Sequence, residues 1–403
     1  MAECNYKSRV DNLLNNLSNS SNVVLDYKLD NVTQAVALLN LKPKAKIITV
    51  AGTNGKGSTV HALKYLALAA KLKVATFTSP HLHCVCERIN INDADITYQD
   101  LFYAITYIMP KLAEQKIAIT YFELLFLAAL YLFQQQKLDL IILEVGIGGR
   151  LDATNSIKCD MAIIVTINYD HCHILGNTLK QILSEKAGIL HTNCTLGASK
   201  EIDKEGYLAS LVDKLGITWW EPQGTIPIIT NLTYPSINAY LAVTALDKLF
   251  NLKSLLEMKE IIKVLKTHQP MARFEKFTWQ THTIILDVAH NPESVANLMQ
   301  KLQTQSYNLV NALFCVKDTK DFMEILKISK PYIHKWLLPL NEEFGPIAKV
   351  LKPHLNAIFV PLDIKLILQD LPDNSTLVVF GTFPLVANVR TQIINEINFV
   401  NKG

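Results

Sequence analysis

The sequence predicts an α/β protein of two domains: a larger N-terminal domain on a mostly parallel sheet and a smaller, Rossmann-like C-terminal α/β domain. Three observations carry this. Apolar strand-like runs alternate with helical patterns along most of the chain. One such run leads through a glycine turn into a lysine, two hydroxyls and a helix. And 403 residues is long for a single core.

Taken in order, Ile47–Val50 reads as a buried strand. A helix follows it, with apolar positions Val60, Leu63, Ala67 and Ala70. Val74–Thr78, Leu140–Glu144 and Met161–Ile167 read as further strands, most of them separated by helical stretches. Leu124–Phe133 is the longest apolar run, about half of what a membrane span needs, and reads as a buried helix. Between Leu196 and Ile229 the rhythm weakens; Pro, Gly and the pair Trp219-Trp220 suggest irregular or antiparallel structure. A helix resumes at Ile237-Asn238-Ala239. A second α/β rhythm starts at Thr283–Asp287 and runs through Ala312–Val316, Trp336–Leu338, Ala357–Val360 and Leu377–Phe380. The segment Thr267-His268-Gln269-Pro270-Met271 reads as a hinge, which sets the domains at residues 1–268 and 272–403.

The composition narrows the function. A net charge of +3 with dispersed Lys and Arg does not argue for nucleic acid. The polar N-terminus does not read as a signal peptide. Seven cysteines without regular spacing fit a reducing cytosol better than a disulfide framework, so the expected location is cytoplasmic. Without a coiled coil or a long exposed apolar stripe, the expected state is a monomer.

The chemistry concentrates at strand ends, where open α/β sheets bind ligands. Gly52-Thr53-Asn54-Gly55-Lys56-Gly57-Ser58 is a variant phosphate loop, not the standard G-x-x-x-x-G-K-[ST]. Its glycines let backbone N–H groups approach an anion, the helix N-terminus faces it, and Lys56 can reach the outer phosphates. Ser58 or Thr59 can touch a magnesium ion or its waters. Three neighbouring strand ends carry Thr78-Ser79-Pro80-His81, Glu144, and Asn168-Tyr169-Asp170-His171-Cys172-His173. A hydroxyl, a carboxylate and an imidazole can therefore converge beside the loop, a ligand set compatible with magnesium bound to a nucleotide. Zinc at His171-Cys172-His173 is disfavoured, because neighbours on an extended segment point opposite ways and no C-x-x-C partner exists. Gly146–Gly149 lacks the full dinucleotide fingerprint. Lys186, taken locally, reads equally well as a solvated helix lysine. In the C-terminal half, Asp287 could accept from a ribose hydroxyl, His290 could face a phosphate, and Arg273 could act as a charge clamp; a helix N-cap with a bystander histidine is the alternative for Asp287 and His290.

The ordered set Gly52–Ser58, Ser79–Leu82, Thr120–Glu123, Glu144–Asn155, Asp170-His171, Glu185–Gly188 and Asp287–Pro292 resembles folylpolyglutamate synthase/dihydrofolate synthase, a branch of the Mur ligase superfamily. The resemblance runs from about Asp26 to Gly381. It implies the Mur ligase architecture, with Thr53, Asn54, Gly55, Lys56, Gly57 and Ser58 on the phosphates of ATP and with Asn238, Arg273 and Asp287 as further ATP contacts. It implies Ser79, Glu144 and His171 as magnesium ligands, and Lys186, as a carbamate, on a second magnesium. Lys56, Lys186, Arg273 and His290 become the catalytic candidates. Asp26, Tyr27, Lys28, Leu29, Thr120, Tyr121, Phe122, Glu123, Leu151, Asp152 and Ala153 match the pterin-binding surface. Where the family often reads Pro-Gly-Arg-Phe after the hinge, this chain has Met271-Ala272-Arg273-Phe274.

The implied reaction is ATP-dependent attachment of L-glutamate to dihydropteroate, to reduced folates, or to both. It needs magnesium, and a monovalent cation is a further candidate. Domain closure would carry Arg273, Asp287 and His290 to the nucleotide and exclude water. Arg150 and Asp152 in the Gly149–Asn155 stretch resemble members with both activities. A folylpolyglutamate synthase alone, a peptidoglycan-precursor ligase, and a nucleotide-dependent binding protein without ligation are the competing readings; Ser79–Leu82 and Asp287–Pro292 argue against the second.

Overall fold

Strand β1, Lys46–Ala51, is apolar on both sides because both faces of its sheet are covered. Ile47 and Ala51 enter one core cluster, together with Ile141 and Leu143. Ile48 and Val50 enter the other, together with Leu140 and Ile142. The period of two thus sorts one continuous apolar run onto two buried faces. In this computed structural model residues 2–20, 28–222, 232–307 and 309–400 are described, and the chain divides into two compact units, Met1–His268 and Gln269–Gly403.

The first unit adds β2 (Val74–Phe77), β3 (Ile89–Ile91), β4 (Ala94–Asp95), β5 (Leu140–Glu144), β6 (Met161–Ile164), β7 (Thr195–Gly197) and β8 (Thr218–Trp220). Their order is β4-β3-β2-β5-β1-β6-β7-β8. β3 and β4 are antiparallel; β2, β5, β1, β6, β7 and β8 run parallel. The C-terminal ends of β2, β5, β1 and β6 therefore lie along one edge, and those four ends lead into the candidate residues. The helix Tyr121–Phe133 is buried along most of its length, as its apolar run predicts.

The second unit holds β9 (Glu275–Trp279), β10 (His282–Leu286), β11 (Val310–Phe314), β12 (Ile333–Pro339), β13 (Ala357–Val360) and β14 (Thr376–Phe380), in the order β13-β12-β11-β14-β10-β9. All pairs are parallel except β9 with β10.

Three local expectations change. Between Leu196 and Ile229 the structure is regular where it is described: β7 and β8 pair in parallel, joined through the helix Tyr207–Leu215. Each strand has only three residues, too few for periodicity to register. Gly197 is required there, because a Cβ would stand 2.3 Å from the Trp220 ring. β6 ends at Ile164 rather than Ile167; beyond it Val165 N still donates to Ala51 O and Thr166 O accepts from Thr53 N, while the Thr166 hydroxyl donates to Asn54 O and accepts from Asn54 N, so the pairing turns from a strand ladder into loop contacts. And β9, which alternates intermediate and exposed positions, lacks the apolar signal that marked its neighbours.

Candidate active site

The phosphate-loop segment is built by its neighbours as much as by its own residues. Gly55 has φ of +83° and precedes the helix Lys56–Ala69, a left-handed conformation that favours glycine. A Cβ on Gly55 would also collide with Asn238 Nδ2 at 2.7 Å. Asn238, buried at the start of the helix Ser236–Phe250, donates that Nδ2 to Gly55 O at 3.1 Å. Thr53 N donates to Thr166 O, and the Thr53 hydroxyl exchanges hydrogen bonds with the Asn168 backbone, both 3.0 Å. Loop, β6 end and Asn238 thus form one hydrogen-bonded body.

Two ammonium groups meet on it. Lys56 Nζ donates to Gly52 O at 3.0 Å and Lys186 Nζ to the same carbonyl at 2.9 Å. Lys186 is 4 % exposed. Burial, and then the Lys56 charge, lower its pKa to about 7. The structure thus discards the reading of Lys186 as a solvated helix lysine.

Glu144, 5 % exposed at the end of β5, accepts from Ser79 N at 3.2 Å. Its carboxylate also lies under the loop, since a Cβ on Gly57 would touch its oxygens at 3.6 Å. Ser79, Glu144 and the loop therefore form one cluster. His171 has φ of +50°, and its backbone N–H bonds Asp170 Oδ1 at 2.8 Å. The Asp170 charge reaches Lys186, where it opposes the downward shift. His171 precedes a short helix, Cys172–Leu175, so the segment is not extended as the argument against zinc there assumed. Among the described residues, those two histidines and Cys172 still belong to no group of three clustered His, Cys, Asp or Glu ligands. A hard oxygen donor from Glu144 and a hydroxyl from Ser79, in a near-buried corner under the glycine loop, fit magnesium.

The stretch Gly146–Asn155 packs directly on Glu185–Gly188. A Cβ on Gly188 would stand 2.3 Å from Arg150 Cβ, and one on Gly149 would stand 2.8 Å from Lys186 O. Arg150 N donates to Glu185 O, its guanidinium bonds the Glu185 carboxylate at 3.0 Å, and Asn155 Nδ2 caps Gly188 O. This contact places Lys186.

The pterin set divides. Thr120 and Glu123 form a capping box, with Glu123 Oε2 accepting from Thr120 N at 2.6 Å. They set the helix start that presents Tyr121 and Phe122. The Phe122 ring lies 5.4 Å from that of Phe77 and against Gly146. The Arg88 guanidinium sits 5.5 Å over the Tyr121 ring while Arg88 Nε donates to His81 Nδ1. Asp152 accepts from Gly146 N, Ile147 N, Thr154 N and the Thr154 hydroxyl, so its carboxylate organises its own loop. Ala153 is buried and Leu29 packs against the same core cluster; Leu151 is half-buried and Lys28 exposed. Asp26 and Tyr27 lie outside the described residues.

In the second unit, Asp287 closes β10. It accepts from Phe274 N and Ala289 N, both 2.8 Å. Burial raises its pKa, opposed by the Arg273 charge. Asp287 thus fixes the turn that carries Arg273, and Val288 N bonds Ala272 O across it. The helix cap is Asn291, which accepts from Ser294 N, so Asp287 is not the N-cap. His290 Nδ1 meets Val288 O at 2.8 Å, which directs Nε2 outward from that carbonyl.

Sequence reasoning missed Thr166, Arg88 and the pair Glu275–Arg390. Glu275 accepts from Ala272 N and from Arg390 Nε, 2.8 and 2.9 Å respectively, bracing the Arg273 turn. A long-range pair 115 residues apart leaves no local signal.

No family model matches the chain. It is 31 % identical over 405 residues to the dihydrofolate synthase/folylpolyglutamate synthase of Escherichia coli K12, covering 94 % of each chain. It is 30 % identical over 408 residues to that of Haemophilus influenzae, covering 90 % of this chain and 92 % of the relative. Among solved structures, E. coli FolC in complex with DHPP and ADP matches with a TM-score of 0.86 at 29 % identity, over 96 % of this chain and 98 % of that one. The Yersinia pestis bifunctional enzyme complexed with AMPPNP and Mn matches at 0.83 and 30 %, over 95 % and 97 %. These likenesses span both units and the full run of motifs, and the chain belongs to the dihydrofolate synthase/folylpolyglutamate synthase family.

Proposed function

We propose that this chain is an ATP-dependent ligase that adds L-glutamate to dihydropteroate and to reduced folates, through an acyl phosphate. The observation that carries the site assignment is the convergence of Lys56 and Lys186 on Gly52 O inside a loop flanked by Glu144. A substrate carboxylate attacks the γ-phosphate of ATP and ADP leaves, which gives the acyl phosphate; the glutamate amine then attacks the activated carbonyl, loses a proton, and phosphate leaves. Lys56 and the loop N–H groups hold the transferring phosphoryl group and offset its charge. Ser79, Glu144 and His171 hold one magnesium ion. Magnesium bound there with the nucleotide supplies further charge neutralisation.

Lys186 is suited to carbamylation. Its lowered pKa leaves much of it as neutral amine near neutral pH; the nitrogen bonds to CO2 and loses a proton, which turns a cation into an anionic ligand for a second magnesium. Asn238 steadies the loop beside the nucleotide. Tyr121, Phe122, Arg88 and the Leu29–Ala153 surface form the pterin side, on the first unit. The second unit contributes Arg273, Asp287 and His290 as the glutamate and nucleotide side. Among the described residues no helix is long and apolar enough to cross a membrane. On the irregular spacing of its seven cysteines we place the enzyme in the cytoplasm, as a monomer with a monovalent cation as an accessory ion.

The test is phosphate release from ATP with magnesium and L-glutamate, in parallel with dihydropteroate, with tetrahydrofolate and with neither. Release with both acceptors is expected. Release with tetrahydrofolate alone restricts the enzyme to polyglutamylation, and silence with both in a folded, ATP-binding protein overturns the ligase reading.

A further inference from the structure

On the edge of the first unit's sheet opposite the phosphate loop, three soft ligands come together. Cys159 precedes β6, Cys194 immediately precedes β7, and parallel pairing sets Met161 beside Thr195. His191 lies three residues before Cys194. The sulfurs of Cys159 and Cys194 and a ring nitrogen of His191 all lie within 4.8 Å of one another, the one such group among the described residues. Both cysteines are buried and His191 is partly exposed, so an ion has a route in.

We propose that Cys159, His191 and Cys194 form a site for a thiophilic divalent cation of the zinc class, with water in the fourth position. The spacing suits it. Tetrahedral zinc with Zn–S of about 2.3 Å and Zn–N of about 2.0 Å places sulfur about 3.6 Å from nitrogen. Cys159 Sγ stands 3.8 Å from His191 Nε2. That nitrogen accepts from Cys159 N–H at 3.1 Å, a hydrogen bond that a cation taking the same lone pair would displace. His191 N–H points at Cys194 Sγ at 3.4 Å, a donor that favours thiolate. Asp160, next in sequence, is engaged by Lys46 and Ile47 N and does not complete the shell. The ion would tie β6 to the turn before β7, remote from the ligation chemistry.

The experiment is cobalt(II) titration of the full chain, kept reduced with a phosphine, followed by zinc displacement. One equivalent of cobalt giving sulfur-to-metal charge-transfer absorption and tetrahedral visible bands, erased by zinc, is expected. Cys194→Ser and His191→Gln lose these bands, and a Cys84→Ser/Cys86→Ser variant keeps them. Zinc should also raise the Tm of the wild type and leave that of His191→Gln unmoved; His191 is the most exposed of the three, so its variant covers the case in which Cys194→Ser does not fold. Absence of the charge-transfer band, its survival in either site variant, or a Cys159–Cys194 disulfide forming under reductant would overturn the proposal.

Discussion

The phosphate-loop edge of the first unit and the β10 end of the second bury opposite charges in opposite ways. Lys186 carries its amine into a carbonyl that Lys56 already occupies, and burial leaves it with a pKa of about 7. Asp287 carries its carboxylate onto two backbone N–H groups that need an acceptor, Phe274 and Ala289. In the first region a crowded cation is kept reactive; in the second a carboxylate whose pKa burial raises is tied to two backbone N–H groups and positions a turn. Burial disfavours the charge of both groups, and what differs is the partner: a carbonyl already shared with a second cation, or N–H donors that the carboxylate organises.

The largest effect should come from the first region. Lys56→Ala and Glu144→Ala should each lower the ligation rate by about a thousandfold or more, with far-UV circular dichroism unchanged. Near-wild-type turnover in either would sink the site assignment.

Lys186→Met should separate chemistry from stability. It should abolish ligation and yet raise Tm by about 5 °C at pH 7. The sign follows from linkage: the folded pKa lies near 7 and the unfolded one near 10.5, so below pH 7 the folded state carries the full cost of a buried ammonium, and stability recovers as pH rises toward 10.5. The stabilisation by Met should therefore shrink with rising pH. Wild-type ligation in CO2-depleted buffer should recover on adding bicarbonate, more at pH 8 than at pH 6. A destabilised Lys186→Met at pH 7 would show that the amine is well compensated.

Asp287→Ala leaves two buried N–H groups without an acceptor. It should cost about 2 kcal/mol, read by denaturant unfolding, with nucleotide affinity reduced as the Arg273 turn loosens. A neutral outcome would remove the contrast with Lys186.

The smallest effect concerns the Arg273 turn itself. Ala272 and Phe274 have φ of +54° and +51°, a region unfavourable for residues with a Cβ. Ala272→Gly should stabilise by up to about 1 kcal/mol, the relief of Cβ strain being offset in part by added chain entropy in the unfolded state. Destabilisation would mean that the methyl group, buried here, contributes more by packing than the strain costs.

The motifs were legible wherever chemistry and local conformation coincide. Gly55, Lys56 and the apolar run before them specify a strand, a left-handed turn and a helix start within a dozen residues. Thr120 and Glu123 were legible as candidate site residues, and their capping box shows that they hold the helix start that presents Tyr121 and Phe122. The same holds for Asp152, whose oxygens are taken by its own loop. A sequence motif records that a residue type is needed and is silent on which atoms it meets.

The sequence by itself determined the α/β class, the strand–turn–helix at the phosphate loop and the family resemblance, and it supplied the candidate residues of the site, because these rest on periodicity, short motifs and short-range conformational preference. Only the tertiary structure decided that Lys186 is buried on Gly52 O, that Asn238 braces Gly55, that Glu275 and Arg390 support Ala272, and that Cys159 meets Cys194. The physical reason is distance along the chain. Desolvation and long-range hydrogen bonds depend on which segments the sheet order brings side by side, and Lys186 is 134 residues from the carbonyl that makes it unusual.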